Sequence, residues 1–307
     1  MKLKIRTYGG IILAMVFWAL SFIWFKQANA TFRPITIVFF RLIISVIILT
    51  AWLISRKKFV KIRKEDRKLF LMLAVFEPFL YFMGESFGLT YVSATAGSVI
   101  ISTIPVLATI GAWILFRERL RTVNYAGIIL SFIGVLVFLV NGSGALSFDP
   151  RGVALLGLAV FSAVGYNLTL SRLVNNYAPV FIVNFQNAIG VLLFLPLFLL
   201  TDLKTLSGTP ITFVSMLPVI ELAVFASCGA FILFAFSVRN IGITRANVFT
   251  NFIPLFTAIF SFFILKEKLT VQNIAGMIIV VAGLFMSQIN GRKKHREEAL
   301  ILTGKTA

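Results

Sequence analysis

Residues 104–134 read IPVLATIGAWILFRERLRTVNYAGIILSFIG, and residues 253–283 read IPLFTAIFSFFILKEKLTVQNIAGMIIVVAG. At a shift of 149 residues, Ile104-Pro105 falls on Ile253-Pro254 and Glu118-Arg119-Leu120 on Glu267-Lys268-Leu269. In the same register Asn124, Ala126, Gly127 and Gly134 meet Asn273, Ala275, Gly276 and Gly283. Two apolar runs match at leucines by chance, but not at a proline, a charged turn and two glycines together. The chain is therefore a duplication. Leu73-Ala74-Val75-Phe76 on Leu222-Ala223-Val224-Phe225 extends it, and near the start of each half the shift falls slightly, with Pro34 opposite Pro179.

Around this repeat lies a chain of 307 residues, 59% apolar and 13% charged, with a mean hydropathy of +0.97. Such a composition excludes an ordinary water-soluble domain. Ten predominantly apolar runs cover 8–28, 35–54, 69–91, 93–116, 123–140, 152–171, 180–200, 213–238, 243–265 and 271–289. Each approaches the roughly 20 residues that cross a hydrocarbon core as a helix. The expected fold is an all-α integral membrane protein with ten transmembrane helices. The first run, after Lys2, Lys4 and Arg6 and ending at Ala28-Asn29-Ala30, imitates a secretory signal. It is longer than a signal core of about 7–15 residues and its pattern returns mid-chain, so it reads as a span.

The expected repeats are 1–142 and 152–290, with a disordered cytoplasmic tail at 291–307. Five spans is an odd number, so the second copy enters the membrane upside down. Inverted repeats are characteristic of secondary transporters, whose binding sites lie near mid-membrane between the copies. Orientation follows from the basic residues: 22 Lys and Arg fall in the segments on the N-terminal side and five on the other. Both termini are thus expected in the cytoplasm.

The net charge of +18 is the other face of the same pattern. Its lysines and arginines sit in loops too short to fold as a nucleic-acid reader, so no nucleic-acid partner is expected. The loop 56–68 alone holds eight of them, enough to touch anionic headgroups. One cysteine, Cys228, and one histidine, His295, make no usual zinc or haem site. No Gly-x-x-x-x-Gly-Lys-Ser/Thr sequence offers a nucleotide site. No cofactor is expected; the partners are a small-molecule substrate and the lipid bilayer.

Further motifs carry a family resemblance: Phe17-Trp18-Ala19-Leu20-Ser21-Phe22, Phe40-Arg41-Leu42, Gly88-Leu89-Thr90-Tyr91-Val92-Ser93-Ala94, Pro105, and Glu118-Arg119-Leu120 followed by Gly127 and Gly134. Together they resemble the EamA family of the drug/metabolite transporter superfamily, over almost the whole chain. The second half echoes them less fully. Gln186 replaces Arg41, and Asn240-Ile241-Gly242-Ile243-Thr244 replaces the Tyr-x-Ser-Ala element, while Pro254, Glu267 and Gly276 hold. The resemblance implies ten helices in a basket-like array, export or exchange of small metabolites such as amino acids, and a bacterial inner membrane.

A charge at mid-bilayer costs about 2.5–3.5 kcal/mol on insertion scales, so each buried one needs a partner or a task. Arg41 and Glu85 each lie about 9 Å below the outer surface by helical rise. Paired, they are either a structural tie or the outer lining of a cavity, Arg41 for a carboxylate and Glu85 for an ammonium or a proton. Glu77-Pro78 sits mid-span, where Pro78 frees a carbonyl, that of Ala74, and favours a bend. Trp18, Trp24, Tyr81 and Tyr166 offer an aromatic wall. Asn167, Gln186, Asn187, Asn247 and Asn251 offer neutral groups in the inner half, with Ser98 and Ser102 the repeat counterparts of Asn247 and Asn251. Interhelical hydrogen bonds compete with ligand binding as their role. Pro105 and Pro254 are hinge candidates. Gly84-x-x-x-Gly88 and Ala159-x-x-x-Ala163 allow close helix contact, and Glu118 and Glu267 read as interfacial partners of the Arg and Lys beside them.

An intramembrane enzyme needs an Asp pair, a His cluster or an activated Ser in the spans. No Asp or His falls in the ten runs, which disfavours catalysis. A secondary transporter working by alternating access is the leading reading, with a non-transporting scaffold or lipid-interacting protein as the alternative.

Overall fold

The computed structural model describes residues 2–108, 110, 122–139, 149–206 and 208–287. Glu118, His295 and the 291–307 tail lie outside the described residues. Among the described residues there are ten apolar helical segments: α1 (Leu3–Asn29), α2 (Pro34–Ser55), α3 (Lys64–Tyr91), α4 (Ala94–Ala108), α5 (Thr122–Leu139), α6 (Pro150–Leu173), α7 (Pro179–Leu206), α8 (Phe213–Ile241), α9 (Ile243–Leu265) and α10 (Val271–Ser287). All but α4 and α10 are at least 18 residues long and apolar enough to cross a membrane. The side on which α1 begins is called here the N-terminal face, and the opposite side the far face.

The packing repeats as the sequence does. With α1 to α5 equivalent to α6 to α10, contact of α3 with α6 is answered by α8 with α1, α3 with α7 by α8 with α2, and α4 with α6 by α9 with α1. The remaining cross-repeat contacts join equivalent helices: α2 with α7, α4 with α9, and α5 with α10. An in-plane pseudo-two-fold relates the halves, as expected for an inverted repeat.

Small residues bring these backbones together. A Cβ on Gly127 would come within 2.3 Å of the Ser287 amide nitrogen, and one on Gly134 within 2.5 Å of that of Val280. The four glycines that set the repeat register thus form one seam between α5 and α10. Gly84 does the same for α3 against α6, where a Cβ would meet the Leu155 carbonyl at 2.5 Å. Lipid supplies no hydrophobic drive between helices, so close van der Waals packing of this kind holds them.

Several helices are interrupted. In α3 the chain leaves helical geometry at Glu77 (φ −148, ψ 120), and the next residue is Pro78. The Phe76 carbonyl, which accepts the Tyr81 amide across the break, also accepts from the Ser162 hydroxyl of α6. Helix α4 breaks at Ser102–Thr103, and α9 tightens to a 3-10 turn at Thr250–Phe252. These breaks are repeat equivalents, and Pro105 and Pro254 each occupy the second position of the half-helix that follows. Proline suits that place because its missing N–H is one the helix start leaves unbonded anyway.

One expectation fails here. Helix α7 runs on past residue 200 and α3 starts as early as Lys64, so Asp202 and Asp66 lie within spanning helices and the spans do contain aspartates. The former is the more deeply tied. Its carboxylate accepts from the Thr36 amide at 3.0 Å and hydroxyl at 2.8 Å, at the start of α2. Arg33 stands 3.5 Å away. An orphan helix N-terminus gives this carboxylate its reason to be buried.

Candidate functional site

Seven helices from both halves enclose a central cavity: α1, α2, α3, α4, α6, α8 and α9. About 60 Å³ is open to the centres of water-sized molecules, room for a few waters at about 10–15 Å³ each. Of the residues singled out from sequence, Trp18, Arg41, Glu77, Tyr81, Glu85, Asn167 and Asn247 line it, as does Tyr166 of the aromatic wall. The break of α3 brings Glu77 to the wall. The breaks of α4 and α9 reach it through Ile101, Ile104, Thr250 and Ile253.

Arg41 is 3% exposed. Its Nε donates to the Ser227 hydroxyl at 2.9 Å, and its guanidinium carbon lies 4.3 Å from the centre of the Phe82 ring. Behind Ser227, Asn187 donates to the Ser45 hydroxyl at 2.8 Å and to the Ser227 carbonyl at 3.3 Å. The Cys228 thiol donates to the same Ser45 hydroxyl at 3.1 Å. A buried polar network across α2, α7 and α8 thereby fixes one edge of the guanidinium and leaves its terminal nitrogens facing the cavity.

The expected Arg41–Glu85 ion pair is absent. Glu85 accepts instead from the Tyr81 hydroxyl, one turn earlier on α3, at 3.0 Å. Among the described residues the ion pair within 4.0 Å is Arg33–Asp202. Glu77, Glu85 and Arg41 share the cavity close enough to feel one another electrostatically. Two carboxylates and one guanidinium therefore face it without direct pairing.

The opposite wall is aromatic and amide. Trp18 meets Phe231 edge-on at 5.3 Å and Phe234 at 5.0 Å, and Phe231 meets Tyr166 at 6.0 Å. Toward the N-terminal face Asn167 donates to Asn247 at 3.4 Å, joining α6 to α9.

Six of the expected residues stay out of the lining, Ser102 among them, its hydroxyl bonding the Val99 carbonyl of its own helix. Asn187 serves the network behind Arg41. Ser98 is fully buried and bonds the Thr95 carbonyl of its own helix. Gln186 and Asn251 are fully buried, and neither amide makes a hydrogen bond; Gln186 lies against the Tyr166 hydroxyl without ordinary bond geometry. Trp24 packs on Phe225 instead. Glu267 bonds the start of α4 in place of an Arg or Lys partner, because orphan amides compete well for a carboxylate.

The sequence reading passed over Ser45, Phe82, Ser227, Phe231, Phe234 and Thr250. Phe82 and Phe231 carried a signal, being aromatics in equivalent places at the 149 shift. Ser227 carried none, since a small hydroxyl in an apolar run gives no hint of an arginine 186 positions earlier.

A pseudo-symmetric helical array around a cavity with buried charge defines the class of a membrane transporter. The chain matches the EamA-like transporter family twice, over residues 6–140 and 150–288, and it belongs to that family. It is 26% identical over 288 residues to an uncharacterized transporter of Archaeoglobus fulgidus, covering 92% of this chain and 97% of that one. To the uncharacterized transporter YcxC of Bacillus subtilis it is 26% identical over 302 residues, covering 96% of each. To an uncharacterized transporter of Haemophilus influenzae it is 31% identical over 250 residues, covering 72% and 79%. A crystal structure sharing 15% identity superposes with a TM-score of 0.69 over 92% of this chain and 98% of the other, which shows the same fold. Family membership sets aside the scaffold alternative.

Proposed function

We propose that the protein exports or exchanges small metabolites, amino acids or related compounds, by alternating access between the repeats 1–142 and 152–290. The observation that carries this reading is the open guanidinium edge of Arg41 beside two carboxylates in a cavity walled by both repeats. A buried charge left unpaired is expensive, so the site is built for charged cargo. Arg41 takes a carboxylate, in the two-pronged geometry that a guanidinium favours. Glu85 or Glu77 takes an ammonium or a proton, which balances the one negative charge in excess. The rings of Trp18, Phe231 and Phe234 receive the apolar remainder.

The paired breaks of α4 and α9, with Pro105 and Pro254, are the hinges of the exchange. The Asn167–Asn247 contact closes the N-terminal face when the far face opens. With the basic loops on the N-terminal side, both termini are cytoplasmic, and the family resemblance implies a bacterial inner membrane.

The test loads proteoliposomes with a metabolite mixture, with and without a pH gradient, and identifies by mass spectrometry what leaves. Selective loss of an amino acid or related compound, absent from empty liposomes, is expected. Its response to the gradient reports proton coupling. No selective loss from protein that is folded and correctly inserted overturns the reading.

A further inference from the structure

The segment 52–68 runs on the N-terminal face from the last turn of α2, over the start of α7, to the first turn of α3. It holds eight lysines and arginines, all exposed, against two acids. Of the acids, Asp66 is buried and accepts from the Tyr177 hydroxyl at 2.7 Å. Among the described residues none of the eight cations forms an ion pair within 4.0 Å; the pair found there is Arg33–Asp202. Exposed apolar side chains stand beside the charges: Trp52, Ile54, Phe59 and Val60 are 38% to 63% exposed.

The segment is held in place. Helix α2 closes with the Lys57 amide on the Ile54 carbonyl at 3.0 Å and the Lys58 amide on the Leu53 carbonyl at 2.9 Å, the paired bonds of a Schellman turn. That turn puts Lys57 at φ +52, a left-handed backbone where glycine is ordinary and a side chain is strained. Lys58 Nζ lies 5.4 Å from the centre of the Trp52 ring, and Phe59 meets Phe181 of α7 edge-on at 6.4 Å. Further on, the Arg63 amide donates to the Tyr177 hydroxyl at 3.1 Å. Orientation in the membrane asks only for an excess of positive charge on one side. Of the 22 basic residues on that side eight lie here, so 14 remain against five without them. A topology signal needs neither a fixed loop nor exposed rings beside the charges. Lysine heads next to tryptophan and phenylalanine suit the boundary between headgroups and hydrocarbon.

We propose that the segment 52–68 is a binding surface for anionic phospholipid, with Lys57, Lys58 and Lys61 on the headgroup phosphates and Trp52, Phe59 and Val60 against the start of the acyl chains. A lipid is the occupant because the surface joins unpaired cations to exposed rings at the membrane boundary, and a soluble phosphate would leave the rings in water. The helices it ends and begins, α2 and α3, are those that carry Arg41, Glu77 and Glu85 to the cavity. The surface works whatever the cargo is, and goes beyond the transport reading above.

The experiment offers the full chain, purified in detergent, equal amounts of phosphatidylglycerol and phosphatidylcholine, and counts the retained lipids by native mass spectrometry. Wild type is expected to keep phosphatidylglycerol over phosphatidylcholine by at least about ten-fold, and by less at high salt. A lysine at a membrane surface is worth about five-fold in affinity for acidic lipid. Lys58→Gln should therefore lower the preference about five-fold, and Lys57→Gln, Lys58→Gln and Lys61→Gln together should abolish it. Arg172→Gln, Arg239→Gln and Arg245→Gln together remove the same charge from the same face and should leave the preference within about two-fold of wild type, since charge acts here over about a Debye length. Glycerol phosphate at the lipid's concentration should displace nothing. The absence of any preference in wild type overturns the proposal. So does an equal loss in the two triple variants, which would make net charge the cause, or displacement by glycerol phosphate, which would make this an anion site without lipid. Should the lysine triple variant fail to fold, Lys58→Gln decides alone. Lipid retention needs no cargo. If phosphatidylglycerol is kept as expected while no metabolite is transported, the lipid surface stands and the transport reading falls. If transport is intact and retention does not change between wild type and variants, the lipid surface alone falls.

Discussion

The two halves agree in scaffold and disagree in charge. Gly127 and Gly134 have Gly276 and Gly283 as counterparts, Pro105 has Pro254, and the helix contacts come in symmetric sets. The cavity charges have no such partners. Arg41 stands opposite Gln186, Glu77 opposite Ala226, and Glu85 opposite Phe234. What must be alike in both halves is the geometry that lets them exchange roles. What recognises cargo needs to exist once, because a single site serves both faces. Shared positions therefore report on the fold, and unshared ones on the site.

The largest effect is expected where the scaffold is shared. Gly127→Val and Gly276→Val should each cost on the order of 3 kcal/mol or abolish folding, since backbone occupies the space a Cβ needs. Gly157→Val, with nothing within 4 Å of its Cβ, should leave the melting temperature unchanged. Thermal melting in detergent reads this, and a large difference between the two repeat-equivalent glycines would break the symmetry argument.

Next come the unshared carboxylates. Glu85→Gln and Glu77→Gln should leave the protein folded and cut the efflux rate about ten-fold, with an altered dependence on pH. If both variants export at the wild-type rate with the wild-type pH profile, the carboxylates hold helices together and serve no cargo.

A smaller effect falls on the group behind the site. Ser227→Ala releases the Nε of Arg41 and should raise KM about five-fold, the worth of roughly one hydrogen bond, with little change in maximal rate. A change confined to maximal rate would assign Ser227 to motion instead.

The smallest concerns a tie from the loop after α6 to the start of α3. Tyr177, between α6 and α7, donates to Asp66 at 2.7 Å and accepts from the Arg63 amide at 3.1 Å. Burial pushes its phenol above the ordinary value. The neutral, donating form is favoured by folding, so this stability is present through neutral pH and is lost only as alkali ionises the phenol. Tyr177→Phe should cost about 1 kcal/mol at neutral pH and leave transport intact. A variant as stable as wild type would mean the bond contributes nothing.

Much of this was legible in the sequence because membranes constrain it. Span length, the 149-residue register and the prolines predict the ten helices and the correspondence of each helix in one half to one in the other. The glycine seam was visible as Gly127/Gly134 against Gly276/Gly283, though not that the two pairs would meet each other. Arg41, Glu77 and Glu85 stood out because charge is costly in lipid. Their partners did not. Residues at matched depth satisfy the condition for an ion pair, but rotation about each helix decides which neighbour is met, and there Ser227, Phe82 and Tyr81 win. Asp202 was missed because a helix can outrun its apolar run when a neighbouring helix start awaits its carboxylate.

The most direct measurement compares efflux of the exported metabolite from proteoliposomes bearing wild-type protein, Arg41→Gln and Gln186→Leu. Arg41→Gln installs the residue the second half already has, and Gln186→Leu removes a buried amide that makes no bond. The account predicts that Arg41→Gln lowers efflux at least about 30-fold, as loss of a buried charge contact does, while remaining folded. Gln186→Leu should stay within about two-fold of wild type, since an unbonded amide contributes little. Equal efflux from wild type and Arg41→Gln would contradict the claim that recognition resides in the charges the repeat does not share.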